Sequence, residues 1–392
     1  MKLQKLLCFV LMCFGFSLVY AAAQTQPAAG PPSSAPATPP PPGETGTTAA
    51  APTTAPSTPA PLPDPKTPQE FFDRAGQLSD LEASGIPFHL KATYVASGDT
   101  EFTGNGTYEE WWQSKDLWRK EATLGDYKYV EIQYGGKNAV YGSSDYIPLR
   151  LRQMLDAVLI RIAPDTGTAS EWKQKKEKLK NVDFVVLSSI NACTENYPQV
   201  KCVTQDHFTQ SGVLRIHAVD VDETLYDNFH LFEGMACPAS VYLSASGKVI
   251  LAISLTFLEK LNPNDPVLSK DAQFHENLQP VTSPKHNESS PGVVPPKLIH
   301  PRPYVDPNPY PRLVTGTVVV NMIIDAKGNV REPYVVHSGG PSLDKSIIAA
   351  SRSWKFAPLR INGVPYCSEL QVCAGCTDKT KRPSENAKKS WW

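Results

Sequence analysis

The hydrophobic pattern near the end of the chain predicts a small β-β-α-β unit. Four apolar residues alternate with period two on one face of a first strand: Val318, Val320, Met322 and Ile324. Gly328 provides the left-handed position of a short hairpin turn, and a second strand follows at Val330 to His337. Residues at helical spacing come next: Leu343, Ile347, Ala350, Ser351 and Trp354. A third strand from about Pro365 to Val372 completes the unit.

Two positions in this unit predict how its helix begins and where its strands lie. Ser342 is a candidate N-cap, with Asp344 placed to favour the helix dipole. Pro333 has no N–H to donate, which places the second strand at a sheet edge. We expect the third strand at the other edge, where an open backbone invites an added strand. The candidate partner-binding residues are Pro365, Tyr366, Cys367, Ser368, Glu369, Leu370, Gln371 and Val372. The alternative is that these residues only build a small core.

The centre of the chain combines helical stripes with a long series of strands. Thr67-Pro68-Gln69-Glu70 has the residues of a helix N-terminus, with threonine as the N-cap. A second apolar stripe at helical spacing runs from Pro148 to Ile162. The basic run Lys173 to Lys180 is predicted to be a solvated helix face. The predicted strands are Phe88–Ala96, Gly106–Gln113, Lys128–Tyr134, Ala139–Tyr141, Val182–Ile190, Val213–Asp220, Glu223–Phe229, Ala236–Ser244 and Lys248–Glu259.

Three polar or proline-rich segments divide the chain. Residues 24–66 are rich in Pro, Ala, Thr and Ser and predict a disordered, semi-rigid spacer. Residues 280–303 form a second Pro-rich segment, which we interpret as a linker. Residues 377–392 are polar and basic and predict a disordered tail. These boundaries leave two folded regions, residues 67–279 and 304–376.

The N-terminus has the pattern of a secretory signal over residues 1–23. Lys2 and Lys5 precede the apolar stretch Leu6 to Tyr20, and three alanines form a small-residue cleavage site before Gln24. The alternative is an uncleaved anchor in the inner membrane. A spanning helix needs roughly 20 apolar residues, and the run Leu6 to Ala23 is slightly shorter, which favours cleavage and export.

Six cysteines remain in the mature chain, an even number that suggests disulfides in an exported protein. Cys193 and Cys202 bracket a loop that contains Tyr197-Pro198, and we predict that they are bonded. Cys373 and Cys376 have the spacing of redox motifs, but they close a folded region and precede a polar tail. We therefore interpret this second pair as a local structural disulfide.

The other chemistry-bearing residues point away from catalysis. His217, Asp220, Asp222 and Glu223 are the densest group of potential metal ligands, but an acidic turn between two strands produces the same residues. One histidine without a second nitrogen or sulfur ligand is weak for zinc, so we predict no metal site. We also predict no cofactor and no enzymatic activity, because the P-loop, nucleophile-elbow and zinc-protease motifs do not occur. A net charge of −1 argues against a nucleic-acid partner.

The C-terminal motifs, taken in order, resemble the TonB C-terminal domain, a periplasmic module that grips outer-membrane receptors. The resemblance covers about the last fifth of the chain. It rests on Tyr310-Pro311, Gly316–Val320, Asp325–Asn329, Ser338–Asp344, Ser353–Pro358 and Asn362–Pro365. In that family the last strand pairs with a short N-terminal box of the receptor. The resemblance therefore implies outer-membrane TonB-dependent receptors as partners and a location in the periplasm or cell envelope.

The central region resembles the LolA/LolB-like lipoprotein-carrier fold, an open antiparallel β-barrel closed by helices. This resemblance rests on the succession of helix, meander, inserted helix and further meander, and on the strand pair Gly106–Trp112 and Leu117–Arg119. The expected fold class is therefore α+β. It combines a LolA-like open antiparallel barrel or meander with a TonB-like β-β-α-β domain, joined by Pro-rich linkers.

Two functional hypotheses follow. The first is a periplasmic TonB-family binding protein that contacts outer-membrane receptors by β-strand addition, as a transport accessory or an energy-transducer-like protein. The second is a periplasmic lipid or lipoprotein carrier that binds a lipid or acyl ligand and uses its C-terminal domain for docking. Five aromatic residues that could line an apolar cavity motivate the second hypothesis: Tyr108, Trp112, Trp118, Tyr129 and Tyr134.

Overall fold

The strands of the central region pair in the computed structural model as a long antiparallel meander. The structure describes residues 63–162, 172–179, 181–269, 278–281, 291–300 and 316–376, which all belong to one compact unit, Pro63–Trp392. The predicted signal, the predicted tail and residues 24–62 of the predicted spacer lie outside the described residues. Within the described ranges, no helix is long and apolar enough to cross a membrane.

Thirteen strands form the large sheet. They are β1 (Phe88–Ala96), β2 (Gly104–Ser114), β3 (Leu117–Leu124), β4 (Tyr127–Tyr134), β5 (Lys137–Gly142), β6 (Lys173–Leu179), β7 (Val182–Ala192), β8 (Lys201–Phe208), β9 (Leu214–Val219), β10 (Asp222–Phe232), β11 (Met235–Ala245), β12 (Lys248–Lys260) and β13 (Gln279–Pro280). Their order is β13-β5-β4-β3-β2-β1-β12-β11-β10-β9-β8-β7-β6. The sheet is open, since β13 and β6 stand at its two ends. The predicted antiparallel meander is confirmed.

Three helices pack against this sheet: α1 (Pro68–Ser79), α2 (Leu81–Ser84) and α3 (Leu149–Ala157). The predicted start of α1 is confirmed, because the Thr67 hydroxyl accepts a hydrogen bond from the N–H of Glu70 at 3.3 Å. The fully buried Phe71 of α1 lies with its ring centroid 5.5 Å from that of Phe208 on β8. Helices and strands thus share one apolar core.

Two predictions about this region were wrong. The basic run Lys173 to Lys180 is not a helix, because its residues up to Leu179 form β6, which pairs with β7 along its whole length. Lysines are common on edge strands, where their charge discourages further pairing, and β6 ends the sheet. Helix α3 is shorter than its apolar stripe, since it ends at Ala157 although buried apolar residues continue to Ile160.

The described residues of the C-terminal unit form eight strands and a helix. They are β14 (Val293–Val294), β15 (Lys297–His300), β16 (Val318–Ile324), β17 (Val330–His337), α4 (Pro341–Ser351), β18 (Lys355–Ala357), β19 (Leu359–Ile361), β20 (Val364–Tyr366) and β21 (Ser368–Ala374), with β14 and β15 contributed from residues upstream. Its largest sheet has the order β17-β16-β21, with all neighbours antiparallel. The edge position predicted from Pro333 is therefore confirmed for β17.

The start of α4 differs from the predicted cap. The N-cap residue is Gly340, and Ser342 lies inside the first helical turn. Asp344 instead binds the residues before the helix, where its carboxylate accepts from the Ser338 hydroxyl at 2.5 Å and from the Gly339 N–H at 3.0 Å. The N-cap therefore lies two residues before the predicted Ser342. Gly340 can occupy it because its φ of 118° is a conformation that glycine adopts at no steric cost.

Part of the segment interpreted as a linker pairs with the C-terminal unit. β14 is antiparallel to β19, and β15 is antiparallel to β18. Residues 293–300 are therefore part of that unit's hydrogen-bonded structure. The rest of the predicted linker, apart from residues 280–281 and 291–292, lies outside the described residues.

Strand β16 is buried on both faces, although the sequence predicted one buried face. All seven of its residues are buried. One face, with Val320 and Met322, packs with Leu343 and Ile347 of α4. On the other face Ile323 packs with residues of the large-sheet region and of the strand junction: Tyr146, Phe102 and Cys367. The small sheet is thus enclosed between α4 and the large-sheet region.

Candidate partner-binding edge of the C-terminal sheet

Strand β21 is the terminal strand of the small sheet. It pairs with β16 from Ser368 to Ala374, and no strand among the described residues pairs with its second side. The predicted segment Pro365 to Val372 is divided in the structure. Pro365 and Tyr366 belong to β20, which turns back on β19 through Asn362 and Gly363, both with positive φ. Cys367 is the buried junction, so the edge strand begins only at Ser368.

One hydrogen bond shows which backbone groups of β21 face outward. The Gln371 carbonyl accepts from Tyr197 Oη at 3.1 Å, and Tyr197 lies outside the small sheet. In an antiparallel strand the N–H and C=O of one residue point to the same side, and the side alternates along the chain. Gln371, Glu369 and Cys373 therefore direct their backbone groups away from β16. Ser368, Leu370 and Val372 direct theirs toward it.

The side chains of β21 divide between the two faces of the sheet. Leu370 and Val372 pack with the core beneath α4. Glu369 and Gln371 project from the opposite face, toward the large-sheet region. There Arg152 of α3 donates to Glu369 Oε1 at 2.9 Å, and Asn196 donates to Gln371 Oε1 at 3.0 Å. Asn321 of β16 also donates to Glu369. The candidate edge therefore lies against residues of the other folded region.

Asn196 and Tyr197 lie in the segment 193–202, which consists of the loop between β7 and β8 and the first two residues of β8. The loop is closed by hydrogen bonds from Cys193 N–H to the Val200 carbonyl at 2.9 Å and from Val200 N–H to the Tyr197 carbonyl at 2.9 Å. Cys193 and Cys202 are joined in the structure by a disulfide, with their Cα atoms 4.9 Å apart. A closed loop of this kind holds its two side chains in place over the edge strand.

His337, at the end of β17, lies beside this disulfide. Its Nδ1 atom is 3.5 Å from Cys193 Sγ, 3.7 Å from Cys202 Sγ and 3.2 Å from Asp220 Oδ2. Zinc binds thiolates, and a disulfide offers none, so this group has no complete set of metal ligands while the bond is intact. Cys373 and Cys376 are also joined in the structure, with Cα atoms 5.6 Å apart.

The acidic group singled out in the sequence forms a turn. Asp220 has a φ of 53° and lies between β9 and β10. Its carboxylate accepts from the Ser338 N–H at 2.9 Å, while His217 contacts Asp206 at 2.7 Å rather than its sequence neighbours. His217 and Asp220 therefore have different partners, and Asp220 serves as a contact to the C-terminal unit.

Ion pairs connect the C-terminal unit to the large-sheet region. They are Arg331–Glu101 at 3.3 Å, Arg352–Asp99 at 2.7 Å and Arg152–Glu369 at 2.9 Å. A further polar contact joins His337 and Asp220 at 3.2 Å. Glu332, with a φ of 49° at an irregularity of β17, adds a buried contact, because its Oε1 accepts from the Glu101 N–H at 3.0 Å. Burial raises the pKa of the Glu332 carboxyl. Sequence reasoning missed this contact surface, and only the charged residues Arg331, Glu332 and Arg352 in the C-terminal segment could have suggested it.

The aromatic residues that suggested an apolar cavity have different environments. Tyr108, Trp112 and Tyr129 are buried members of the main core. Trp118 is half-buried beneath the Lys120 ammonium, which is 4.6 Å from its ring centroid, and Tyr134 is exposed. A cleft of about 390 Å³ over β1, β2, β3 and β4 is lined by two of these aromatic residues, Tyr108 and Tyr129, together with charged and threonine side chains such as Lys91, Glu109 and Glu121.

A buried charge next to this core was not anticipated. Glu110 on β2 is fully buried and accepts from Tyr108 Oη at 2.6 Å, with Lys120 Nζ at 3.4 Å. Burial raises the pKa of the Glu110 carboxyl, while the charge of Lys120 opposes the shift. The alternation of Tyr108 and Glu110 placed both side chains on one strand face, but nothing in the sequence marked the carboxyl as buried.

Comparisons with known proteins agree with the resemblances seen in the sequence. Residues 312–372 match the family described as Gram-negative bacterial TonB protein C-terminal. A protein TonB from Vibrio cholerae serotype O1 is 33% identical over 69 residues, which are 16% of this chain and 28% of that protein. The match therefore spans less than a third of that relative's length. The predicted resemblance to the TonB C-terminal domain is confirmed for this part of the chain.

Solved structures that are similar to this chain match about half of its length. A LolA superfamily protein from Nitrosomonas europaea is 14% identical and covers 53% of this chain and 100% of its own, with a TM-score of 0.32. A DUF1329 family protein from Desulfovibrio piger is 12% identical and covers 55% of this chain and 100% of its own, with a TM-score of 0.33. The LolA resemblance is thus found again among solved structures, and at these TM-scores we base no argument about function on it.

Proposed function

We propose that this chain is a cell-envelope binding protein that recruits a strand of an outer-membrane TonB-dependent receptor along β21. The observation that carries the proposal is the position of β21, a terminal strand with outward-facing backbone groups at Glu369 and Gln371, within the segment that matches the TonB C-terminal family. Strand addition gains affinity from main-chain hydrogen bonds and needs few specific side chains. A transport-accessory or energy-transducing role and a periplasmic location are part of this proposal.

The opposite edge is less suited to strand addition. Pro333 of β17 has no N–H, and the register of β17 with β16 is irregular beside Glu332. Glu332 is itself buried against the large-sheet region. β21 pairs with β16 without a register shift, so its outward groups form a regular ladder.

The test compares two substitutions at one outward-facing residue. Gln371→Pro removes a backbone donor, whereas Gln371→Ala keeps it and changes only the side chain. The mature full-length chain is titrated by calorimetry with a synthetic peptide from the N-terminus of an outer-membrane TonB-dependent receptor. We expect Gln371→Ala to bind within about threefold of the unsubstituted chain, and Gln371→Pro to lose at least about tenfold in affinity, as the loss of a backbone hydrogen bond requires. Thermal melts establish that both variants are folded. Equal affinity of the folded Gln371→Pro and Gln371→Ala chains would refute pairing at this edge.

A lipid or lipoprotein carrier remains the second candidate from the sequence. That role needs an apolar cavity. Tyr108 and Tyr129 line a cleft whose other side chains are mostly charged residues and threonines, and Trp112 is packed in the core. We therefore place the binding role first. Native mass spectrometry that finds a bound acyl chain in the purified protein would reverse this order.

A further inference from the structure

The loop 193–202, which we name the cap loop, is placed where an added strand would lie. A neighbouring strand runs about 4.8 Å from β21 and directs its N–H groups at the outward carbonyls of β21. The Gln371 carbonyl already accepts from Tyr197 Oη. A phenol ring that ends 3.1 Å from this oxygen occupies the space that the backbone of the added strand requires. The two occupants exclude each other.

We propose that the cap loop is an intramolecular competitor for the β21 edge, so that a partner strand binds only when Tyr197 and Asn196 are displaced. The proposal rests on the proposed function for its consequence, because a competitor matters only if a strand is recruited. The contact itself is made by the hydrogen bonds from Tyr197 and Asn196 to Gln371. The Arg152–Glu369 pair also holds Glu369, the preceding outward-facing residue of β21.

The cap loop is built to keep its position rather than to fold away. The disulfide and the internal hydrogen bonds of Cys193 and Val200 fix its shape. Displacement therefore requires a shift of the whole loop relative to β21. The contact surface between the two folded regions includes the apolar cluster around Ile323, but the contacts of the cap loop with Gln371 are hydrogen bonds, which can be exchanged for hydrogen bonds to water. The edge is thus available in a minor open state.

An equilibrium of this kind lowers the apparent affinity for a partner by the fraction of open molecules. Weakening the cap contact should raise that fraction and tighten binding. Tyr197→Phe removes only the hydroxyl, and Tyr197→Ala also uncovers the edge. Tyr134, an exposed tyrosine on β4, provides the matched control as Tyr134→Ala.

The first measurement uses no peptide. Amide hydrogen exchange at Glu369 and Gln371 is compared among full-length variants, because these N–H groups face outward beneath the cap. We expect Tyr197→Ala to exchange at least about threefold faster at these two amides, Tyr197→Phe to lie between, and Tyr134→Ala to match the unsubstituted chain. Unchanged exchange in Tyr197→Ala would overturn the proposal, because the side chain would then not shield the edge.

The second measurement adds the receptor peptide. We expect its dissociation constant to fall about three- to tenfold in Tyr197→Ala, as the loss of one competing hydrogen bond and its packing predicts. Faster exchange together with unchanged peptide affinity would overturn the competition. Faster exchange together with no peptide binding in any variant would support the cap contact and refute the proposed function, so the two failures are distinct.

Discussion

The charge of Asp222 depends on its burial near the C-terminal unit. Burial raises the pKa of this carboxyl to about 6, with the nearby Asp220 adding to the shift and Arg150 opposing it. The folded chain therefore binds this proton more tightly than the unfolded chain, in which an aspartate titrates near 3.9. Its contribution to the free energy of unfolding is fully present below about pH 3.9 and is lost as the pH rises through about 6.

Asp222→Asn should therefore flatten the pH dependence of stability. We expect the change in unfolding free energy between pH 4 and pH 7 to differ from that of the unsubstituted chain by up to about 3 kcal/mol, since the shift is about two units. Urea denaturation at a series of pH values measures it. Asp126→Asn, in an exposed turn, is the control and should follow the unsubstituted chain. A pH profile of Asp222→Asn parallel to that of the unsubstituted chain would contradict the assignment.

At the scale of residues, the sequence predicted which side chains are buried better than it predicted which way side chains and backbone groups point. The period-two pattern identified Val320 and Met322 as core residues. It could not show that Ile323, on the other face, is also buried, because the surface that covers it is far away in sequence. The outward direction of Gln371 likewise depends on the pairing of β21 with β16, which local pattern does not define.

At the scale of elements, the disulfide between Cys193 and Cys202 should stabilise the cap loop and the fold. Closure of a loop of this length contributes about 2–3 kcal/mol by restricting the unfolded chain. We expect the double substitution Cys193→Ser and Cys202→Ser to lower the free energy of unfolding by this amount. Glu195→Ala, an exposed residue of the same loop, should change it by less than about 0.5 kcal/mol. Peptide mapping of the non-reduced protein should recover the two cysteines as one linked pair, and two free thiols at these positions would contradict the prediction.

Elements were predictable where their own residues determined them. Thr67 and Glu70 define the start of α1, and the turn at Gly328 defines the hairpin of β16 and β17, with a φ of 80°. The run Lys173 to Lys180 was misassigned as a helix, because the pairing of Lys173–Leu179 with β7 outweighs the helix propensity of lysine. The start of β21 was also misplaced, since the short hairpin of β19 and β20 takes up Pro365 and Tyr366.

At the scale of the whole molecule, the decisive contacts join residues that are distant in sequence. Tyr197 and Gln371 are 174 positions apart, and Arg331 and Glu101 are 230 apart. Neither periodicity nor composition encodes such pairs, which is why the sequence located the edge strand but not its cap. The resemblance to the TonB C-terminal domain identified the segment, and the structure adds what lies against it.

The proposed function depends on the pairing of a partner strand with β21. Residue-resolved amide chemical shifts of the full-length chain, recorded during titration with the receptor peptide, test this claim most directly. We predict that the largest changes fall on the outward-facing amides of Glu369, Gln371 and Cys373, with a second group at Asn196 and Tyr197 as the cap is displaced. Changes that cluster on β17, from Val330 to His337, and spare β21 would contradict it.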